Sequence, residues 1–195
     1  YRIFAKVDPE HPWESLVDSS YMVIEKSISL PSSSGTKSAN LPPDWIYIDK
    51  TTGVLSEGPA TGYGFDAMRI PWRLALDYQW FGEPRAKTVL SRFVFLDYSW
   101  KSTRALSATY AHDGTPIIGG ESPASYGGAI GYFTVINPKA GKALYEQKLQ
   151  TLYNPDYPGW RDYMGYYEDN WAWFGMALVG GGTPNLFLSL VADAE

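Results

Sequence analysis

Apolar residues recur at helical spacing through much of the chain. The range 12–28 begins with a proline, which suits a first helical turn, and then carries apolar residues along one face. The range 65–80 shows the same periodicity and is followed by Gly82, a common helix stop. Pro71 lies inside this second pattern, so we expect a kink there or a late helix start near Ile70.

The rest of the chain adds further predicted helices and one hairpin. We predict helices over residues 83–100, 122–136, 138–153 and 166–181. Residues 45–49 and 54–55 flank a KTTG turn and predict two short strands. The ranges 30–44, 101–121 and 154–163 are predicted to be loops, with short extended pieces in the second. Helices joined by mostly short loops are typical of stacked helical hairpins.

The composition argues against several classes of partner. The formal net charge is −5 and no block of Lys or Arg occurs, so we predict no binding to nucleic acid or to an anionic membrane surface. No apolar run approaches the roughly 20 residues of a bilayer crossing, which predicts no membrane span. Cysteine is absent, which excludes disulfides, thiolate metal sites and a cysteine nucleophile.

The sequence predicts no metal and no cofactor. The two histidines, His11 and His112, lie far apart in turn-like contexts and are predicted to be lone surface residues rather than ligands. No phosphate-binding glycine motif follows a predicted strand. The glycines of GAIGYF (128–133) fit close helix packing better than they fit a phosphate cradle.

Asp66 is the first candidate for chemistry. It follows the aromatic GYGF at the start of a predicted helix, and Arg69 and Arg73 stand on the same helical face. A helix N-terminus and a nearby guanidinium both favour an ionised carboxylate, which a general base acting on water must be. The alternative is an Asp that caps its helix and pairs with Arg69.

The segment GYGFDAMRIPWRLALDY (62–78) resembles the YDAxRxPWRxAxDY motif of glycoside hydrolase family 8. GYYEDNWAWFGMAL (165–178) is similar to the aromatic and acidic helix near that family's C-terminus. The N-terminal YRIFAKVDPEHPWESLVDSSYMVI resembles the stretch after the family's central Asp motif. Together the three segments cover most of the chain in the family's order. The family includes endoglucanases, xylanases, lichenases and chitosanases.

The resemblance implies an all-α fold, an (α/α)6 toroidal barrel of which residues 1–195 form roughly the C-terminal half of a single catalytic domain. It implies that Asp66 is the catalytic base and that Arg69 holds it. The family's general acid is a Glu in an upstream SEGxGYG motif, so we expect the acid outside this chain, in a missing N-terminal half. That half would cover inner helices, so we expect an exposed apolar face here. Glu57 in LSEGPATGYG (55–64) echoes the acid motif, and we interpret the echo as coincidence.

Aromatic residues, 16% of the chain, are the candidates for sugar binding. Pyranose rings stack on aromatic faces while polar groups bind their hydroxyls. The predicted substrate-binding residues are Tyr63, Phe65, Trp160, Tyr163, Tyr166 and Tyr167. The alternative for about half of them is a place in the core. Phe65 stands where the family usually has Tyr, which removes a hydroxyl from that position.

The function that the resemblance implies is inverting hydrolysis of internal β-1,4-glycosidic bonds in cellulose or a related β-glucan. The expected partner is therefore a β-linked polysaccharide, and the expected location is secreted or periplasmic in a bacterium. Alternatives are a xylanase or chitosanase of the same family, or a non-catalytic carbohydrate-binding or assembly fragment. A helical interaction scaffold would leave Asp66 and Arg69 unexplained.

Overall fold

A computed structural model describes residues 1–31 and 35–187 of the 195 residues. The α-helices in chain order are α1 (Arg2–Val7), α2 (Trp13–Ile28), α3 (Arg69–Phe81), α4 (Pro84–Leu90), α5 (Val94–Thr103), α6 (Pro123–Ile136), α7 (Pro138–Leu144) and α8 (Tyr166–Gly180). Two antiparallel hairpins accompany them, one of β1 (Ile46–Ile48) and β2 (Leu55–Glu57), the other of β3 (Tyr153–Asn154) and β4 (Gly159–Trp160). The predicted helices at 12–28, 122–136 and 166–181 are confirmed, as is the first hairpin.

Helix α6 is the centre of the packing. Every residue from Ala124 to Phe133 is buried, which is the pattern of a helix surrounded by other helices rather than one lying on a surface. It packs against α3 on one side and α8 on another. Because α3 follows directly from the turn that carries Asp66, the central helix fixes where that turn lies.

Glycines let the backbones of these three helices approach closely. A Cβ atom at Gly131 would overlap the main chain of Pro71 in α3, and one at Gly127 would overlap the carbonyl of Trp171 in α8. Gly175 of α8 faces Gly127 in the same way. The interpretation of the GAIGYF glycines as packing residues is confirmed at Gly131, and Gly127 and Gly175 have the same role, since only a residue without a side chain fits each crossing.

The predicted helix over 83–100 is two helices, and that prediction was wrong. The chain turns at residues 91–93, where the amides of Arg92 and Phe93 donate to carbonyls three residues back. This turn buries the Phe93 ring completely, and the Arg92 guanidinium donates to the carbonyl of Glu25 in α2 at 3.0 Å. Burial of an aromatic ring and a contact with a distant helix outweigh the local helical propensity.

The predicted helix over 138–153 is α-helical only in its first half. After α7 come a π-helical turn (Tyr145–Leu149) and a 3₁₀ turn (Gln150–Leu152). Leu144 and Leu149 are both fully buried although five positions separate them. An α-helix would place them about 140° apart, whereas the wider π-turn brings both to the core side. Helix α1 and the β3–β4 hairpin were not predicted, because elements this short carry little periodic signal.

A groove lined mainly by apolar residues lies between α1, α2 and α3. The groove has a volume of about 740 Å³, and its lining includes Phe4, Val17, Ile24, Ile70, Trp80 and Phe81. Phe4 is 50% exposed although its ring lies against Trp13. In the part of the chain that the structure describes, no helix has the length and apolar character for crossing a bilayer.

A network of charged side chains beside this groove joins α1, α2, α3 and α4. Arg2 of α1 donates to Asp77 of α3 at 2.8 Å and also pairs with Glu83. Arg85 of α4 binds the other oxygen of Glu83 at 2.9 Å, and Tyr21 of α2 donates to Asp77 at 2.5 Å. Asp77 is the second Asp of the 62–78 motif, so this motif residue ties helices together rather than lining the Asp66 turn.

Glu83 should make the stability of this network depend on pH. Hydrogen bonds from Arg85, together with the charge of Arg2, lower its pKa from 4.5 to about 2. A carboxyl with a lowered folded-state pKa contributes stability above its unfolded pKa and loses it as pH falls through the folded value. We therefore expect Glu83→Gln to lower Tm at pH 7, and the Tm gap to the parent to shrink between pH 4.5 and pH 2.

Thermal melts of both proteins across that range measure the gap. Glu146→Gln is the matched control, because Glu146 is 51% exposed and lies 3.8 Å from its lysine partner. A gap for Glu83→Gln that stays constant with pH would show that the charge of Glu83 is not the source of its effect.

Candidate active site

Asp66 lies in a tight turn that precedes α3. The turn is closed by the amide of Met68 donating to the carbonyl of Gly64 at 3.0 Å, and α3 begins at Arg69. The expected late helix start is therefore confirmed, and the placement of Asp66 inside the helix was wrong. Pro71 explains the start, because a proline is accommodated in the first turn, where its missing N–H costs nothing.

The backbone of this turn is held by Asp44, which the sequence analysis did not single out. Its Oδ1 accepts hydrogen bonds from the amides of Gly64 at 3.1 Å, Asp66 at 3.1 Å and Ala67 at 2.7 Å. Burial raises the pKa of Asp44, while the amides of Ala67 and Gly64 and the Arg69 guanidinium act in the opposite direction. One carboxylate thus orders three peptide groups around Asp66.

The carboxylate of Asp66 is held at both oxygens. The Arg69 guanidinium pairs with Oδ1, and the same guanidinium donates through Nε to the Asp66 carbonyl at 3.1 Å. The indole N–H of Trp45 donates to Oδ2 at 3.2 Å. The side chain of Asp66 is nevertheless 45% exposed, so a water molecule or a ligand can reach it. A carboxylate that is oriented, charge-paired and open to solvent is equipped to accept a proton from water.

Asp66 opens into a shallow cleft of about 460 Å³. The lining residues are Pro43, Asp44, Trp45, Asp66, Ala67, Arg69, Ile70 and Arg73. Arg69 and Arg73 both line it, as their helical spacing from Asp66 predicts. Apart from Asp44 and Asp66, no Asp or Glu of the described residues lines this cleft. One oxygen of Asp44 accepts hydrogen bonds from three amides.

Two of the predicted aromatic contacts meet beside the Asp66 turn. The rings of Phe65 and Tyr167 pack edge to face at 5.7 Å, and the Tyr167 hydroxyl donates to the Phe65 carbonyl. Burial raises the pKa of Tyr167. Phe65 remains 36% exposed. Helix α8 therefore reaches the turn through Tyr167, and both residues stay candidates for substrate contact.

Tyr63 is close in sequence but lies in the core. Only 4% of it is exposed, and its main chain pairs with Tyr110. Its hydroxyl has no hydrogen-bond partner among the described residues. A ring enclosed in this way does not face the cleft, so we leave Tyr63 out of the proposed binding surface.

None of the predicted substrate-binding aromatic residues is among the residues that line the Asp66 cleft. Tyr163 and Tyr166, at the start of α8, are 95% and 84% exposed. Trp160 packs edge to face against Tyr153 at 6.4 Å and lines a separate groove of about 570 Å³ with Trp173. The structure thus places Phe65 and Tyr167 at the Asp66 turn but gives Trp160 a different surface.

Glu57 and His112 are the remaining residues that the sequence singled out. Glu57 ends strand β2, paired with Ile46, and it lines a depression other than the Asp66 cleft. His112 is 7% exposed, so its prediction as a surface residue was wrong. No group of three or more potential metal ligands occurs among the described residues.

Comparisons with known proteins identify the family and the fold. Residues 1–168 match the model of glycosyl hydrolases family 8. The chain is 25% identical over 189 residues to endoglucanase A of Acetivibrio thermocellus, which is 95% of this chain and 36% of that protein.

Two solved structures share the fold. An apo β-1,3-1,4-glucanase from Paenibacillus sp. X4 superposes with a TM-score of 0.61 at 21% identity, over 88% of this chain and 44% of that one. A family 8 xylobiose complex from Teredinibacter turnerae superposes with a TM-score of 0.62 at 18% identity, over 92% and 43%.

The fold and the matches define this chain as part of an (α/α)6 barrel. The chain belongs to glycosyl hydrolases family 8. It spans 36% of the length of the matched endoglucanase and 44% of the matched glucanase structure.

Proposed function

We propose that this chain carries the base-bearing part of an enzyme that hydrolyses internal β-1,4-glycosidic bonds with inversion at the anomeric carbon. The observation that carries the proposal is the Asp66 carboxylate, held by Arg69 and Trp45 yet open to an accessible cleft. Membership of family 8 supports it. The capping alternative is weaker, because the residue that caps α3 is Met68.

Asp66 would act on water. It accepts a proton as the water oxygen attacks the anomeric carbon from the face opposite the leaving group. Arg69 keeps the carboxylate ionised before the reaction, and Trp45 fixes the direction of its second oxygen. Both contacts are in place before substrate arrives, so little reorganisation is needed during the reaction.

The leaving oxygen needs a protonated carboxylic acid, which in inverting enzymes lies roughly 6.5–9.5 Å from the base. We do not assign the acid to Asp44, because its Oδ1 is occupied by three backbone amides that hold the Asp66 turn. We propose that the acid is a Glu outside this chain, in a preceding half of the barrel. That half is also the partner we propose for the apolar groove between α1, α2 and α3.

The proposed substrate is cellulose or a related β-glucan, with Phe65 and Tyr167 as substrate contacts beside the base. The names of the matched proteins support a β-glucan, since they include an endoglucanase and a β-1,3-1,4-glucanase. The match to a xylobiose complex keeps xylan as the second candidate. Because polymers of this size do not enter cells, we propose a secreted or periplasmic location.

Release of reducing ends by the full-length protein tests the proposal. We expect activity on carboxymethylcellulose or mixed-linkage glucan that exceeds activity on xylan and chitosan. Glu57→Gln should retain activity within about threefold, because Glu57 lines a different depression from Asp66. Loss of activity in Glu57→Gln with unchanged Tm would make Glu57 the acid. Binding of glucan without any release of reducing ends would favour the non-catalytic alternative.

A further inference from the structure

We infer that Trp45 has two roles in the Asp66 cleft: its indole N–H positions the base, and its ring is a stacking surface for a sugar residue next to the cleaved bond. The inference rests on the proposed function and adds a substrate contact to it. Trp45 lines the same cleft as Asp66, Arg69 and Arg73. Its N–H donates to Asp66 Oδ2 at 3.2 Å.

The main chain of Trp45 is held firmly at the edge of the cleft. Its amide donates to the carbonyl of Ala60 at 3.1 Å. Gly58 packs so closely that a Cβ there would lie 2.5 Å from the Trp45 carbonyl oxygen. Strand β1 begins at the next residue and pairs with β2. The indole is therefore attached to an ordered main chain at the start of the β1–β2 hairpin.

The neighbouring residue strengthens this arrangement. Asp44 binds the amides on both sides of the Asp66 side chain, while Trp45 binds the carboxylate itself. Two consecutive residues thus hold the backbone and the side chain of the base from the same hairpin. Removal of the indole N–H should free Asp66 Oδ2 to rotate while Arg69 still holds Oδ1.

Part of the Trp45 ring is exposed and can contact a ligand. Trp45 is 57% exposed even though its N–H is bonded to Asp66. A large apolar ring held at the edge of a cleft that contains two guanidinium groups and two carboxylates matches a pyranose, which has apolar faces and a rim of hydroxyls. Because the N–H fixes the ring beside the base, the sugar on it would lie at or next to the cleaved bond. A pre-ordered ring also loses little conformational entropy on binding.

Two substitutions in the full-length protein separate the roles. Trp45→Phe keeps an aromatic ring and removes the N–H, so we expect kcat to fall about tenfold with KM within about twofold. Trp45→Ala removes the ring as well, so we expect the same fall in kcat and a KM raised at least about fivefold. Trp173→Phe and Trp173→Ala are the matched controls, since Trp173 is 53% exposed in the separate groove.

The dissociation constant for a β-1,4-glucan oligomer, measured in an Asp66→Asn background, tests the ring without turnover. Trp45→Ala should weaken binding at least about fivefold and Trp45→Phe less than about twofold. If the parent protein hydrolyses glucan and both Trp45 variants match the Trp173 controls in kcat, KM and binding, this inference is wrong while the proposed function stands. A parent that cleaves no polymer contradicts the proposed function, and the binding measurement then decides on the ring alone.

Discussion

Asp66→Asn is expected to lower kcat by at least about a hundredfold in the full-length protein while Tm changes little. The amide keeps the shape and one oxygen of the carboxylate but cannot accept a proton from water. The loss of stability should be small, because the Asp66–Arg69 pair is partly exposed and such pairs contribute about 0–1 kcal/mol. Steady-state kinetics on soluble glucan and a thermal melt measure the two quantities.

Asp156→Asn is the matched control, since Asp156 is an exposed residue in the turn between β3 and β4. It should change neither kcat nor Tm. Normal hydrolysis by Asp66→Asn combined with a Tm many degrees lower would mean that Asp66 has a structural role. A loss of activity in both variants would point to a general effect of removing negative charge.

Gly131→Ala should give the largest loss of stability, a decrease in the free energy of unfolding of about 3 kcal/mol or more. The added Cβ would overlap the main chain of Pro71, which belongs to an ordered helix and cannot rotate away as a side chain can. Helices α3 and α6 must therefore move apart at the crossing that carries the Asp66 turn. Urea denaturation of the variant and the parent measures the loss.

Gly180→Ala is the matched control, because Gly180 is also helical but has open space where its Cβ would lie. Its free energy of unfolding should stay within about 1 kcal/mol of the parent and can rise, since alanine favours helix over glycine. Equal effects of the two substitutions would show that backbone flexibility, and not close packing, is the role of Gly131.

The helices that sequence predicts well are those with clear boundary residues. Helix α6 starts after Ser122 with a proline and ends just before Asn137, and α8 ends just before the left-handed Gly181. The break at residues 91–93 depends on burial of Phe93 and on a contact with α2. No local sequence pattern predicts this break, because the break depends on tertiary contacts.

The candidate site also contains residues that a local motif predicts and residues that only tertiary contacts bring together. Asp66 and Arg69 stand out in sequence, because they lie three residues apart in a specific motif. Asp44 and Trp45 reach Asp66 across more than 20 positions of chain, so their role becomes visible only when the hairpin is folded. Tyr63 is the opposite case. Its place in the motif near Asp66 predicts a substrate contact, but its side chain is buried in the core and its main chain pairs with Tyr110.

The anomeric configuration of the first product tests the central claim most directly. If Asp66 activates water on the face opposite the leaving group, one displacement occurs and a β-linked glucan must release the α-anomer first. Proton NMR of the full-length protein acting on a β-1,4-glucan oligomer, recorded before mutarotation, distinguishes the anomers. We predict early accumulation of the α-anomer, and its loss in Asp66→Asn. Early accumulation of the β-anomer would mean two displacements through a covalent intermediate and would contradict a base role for Asp66.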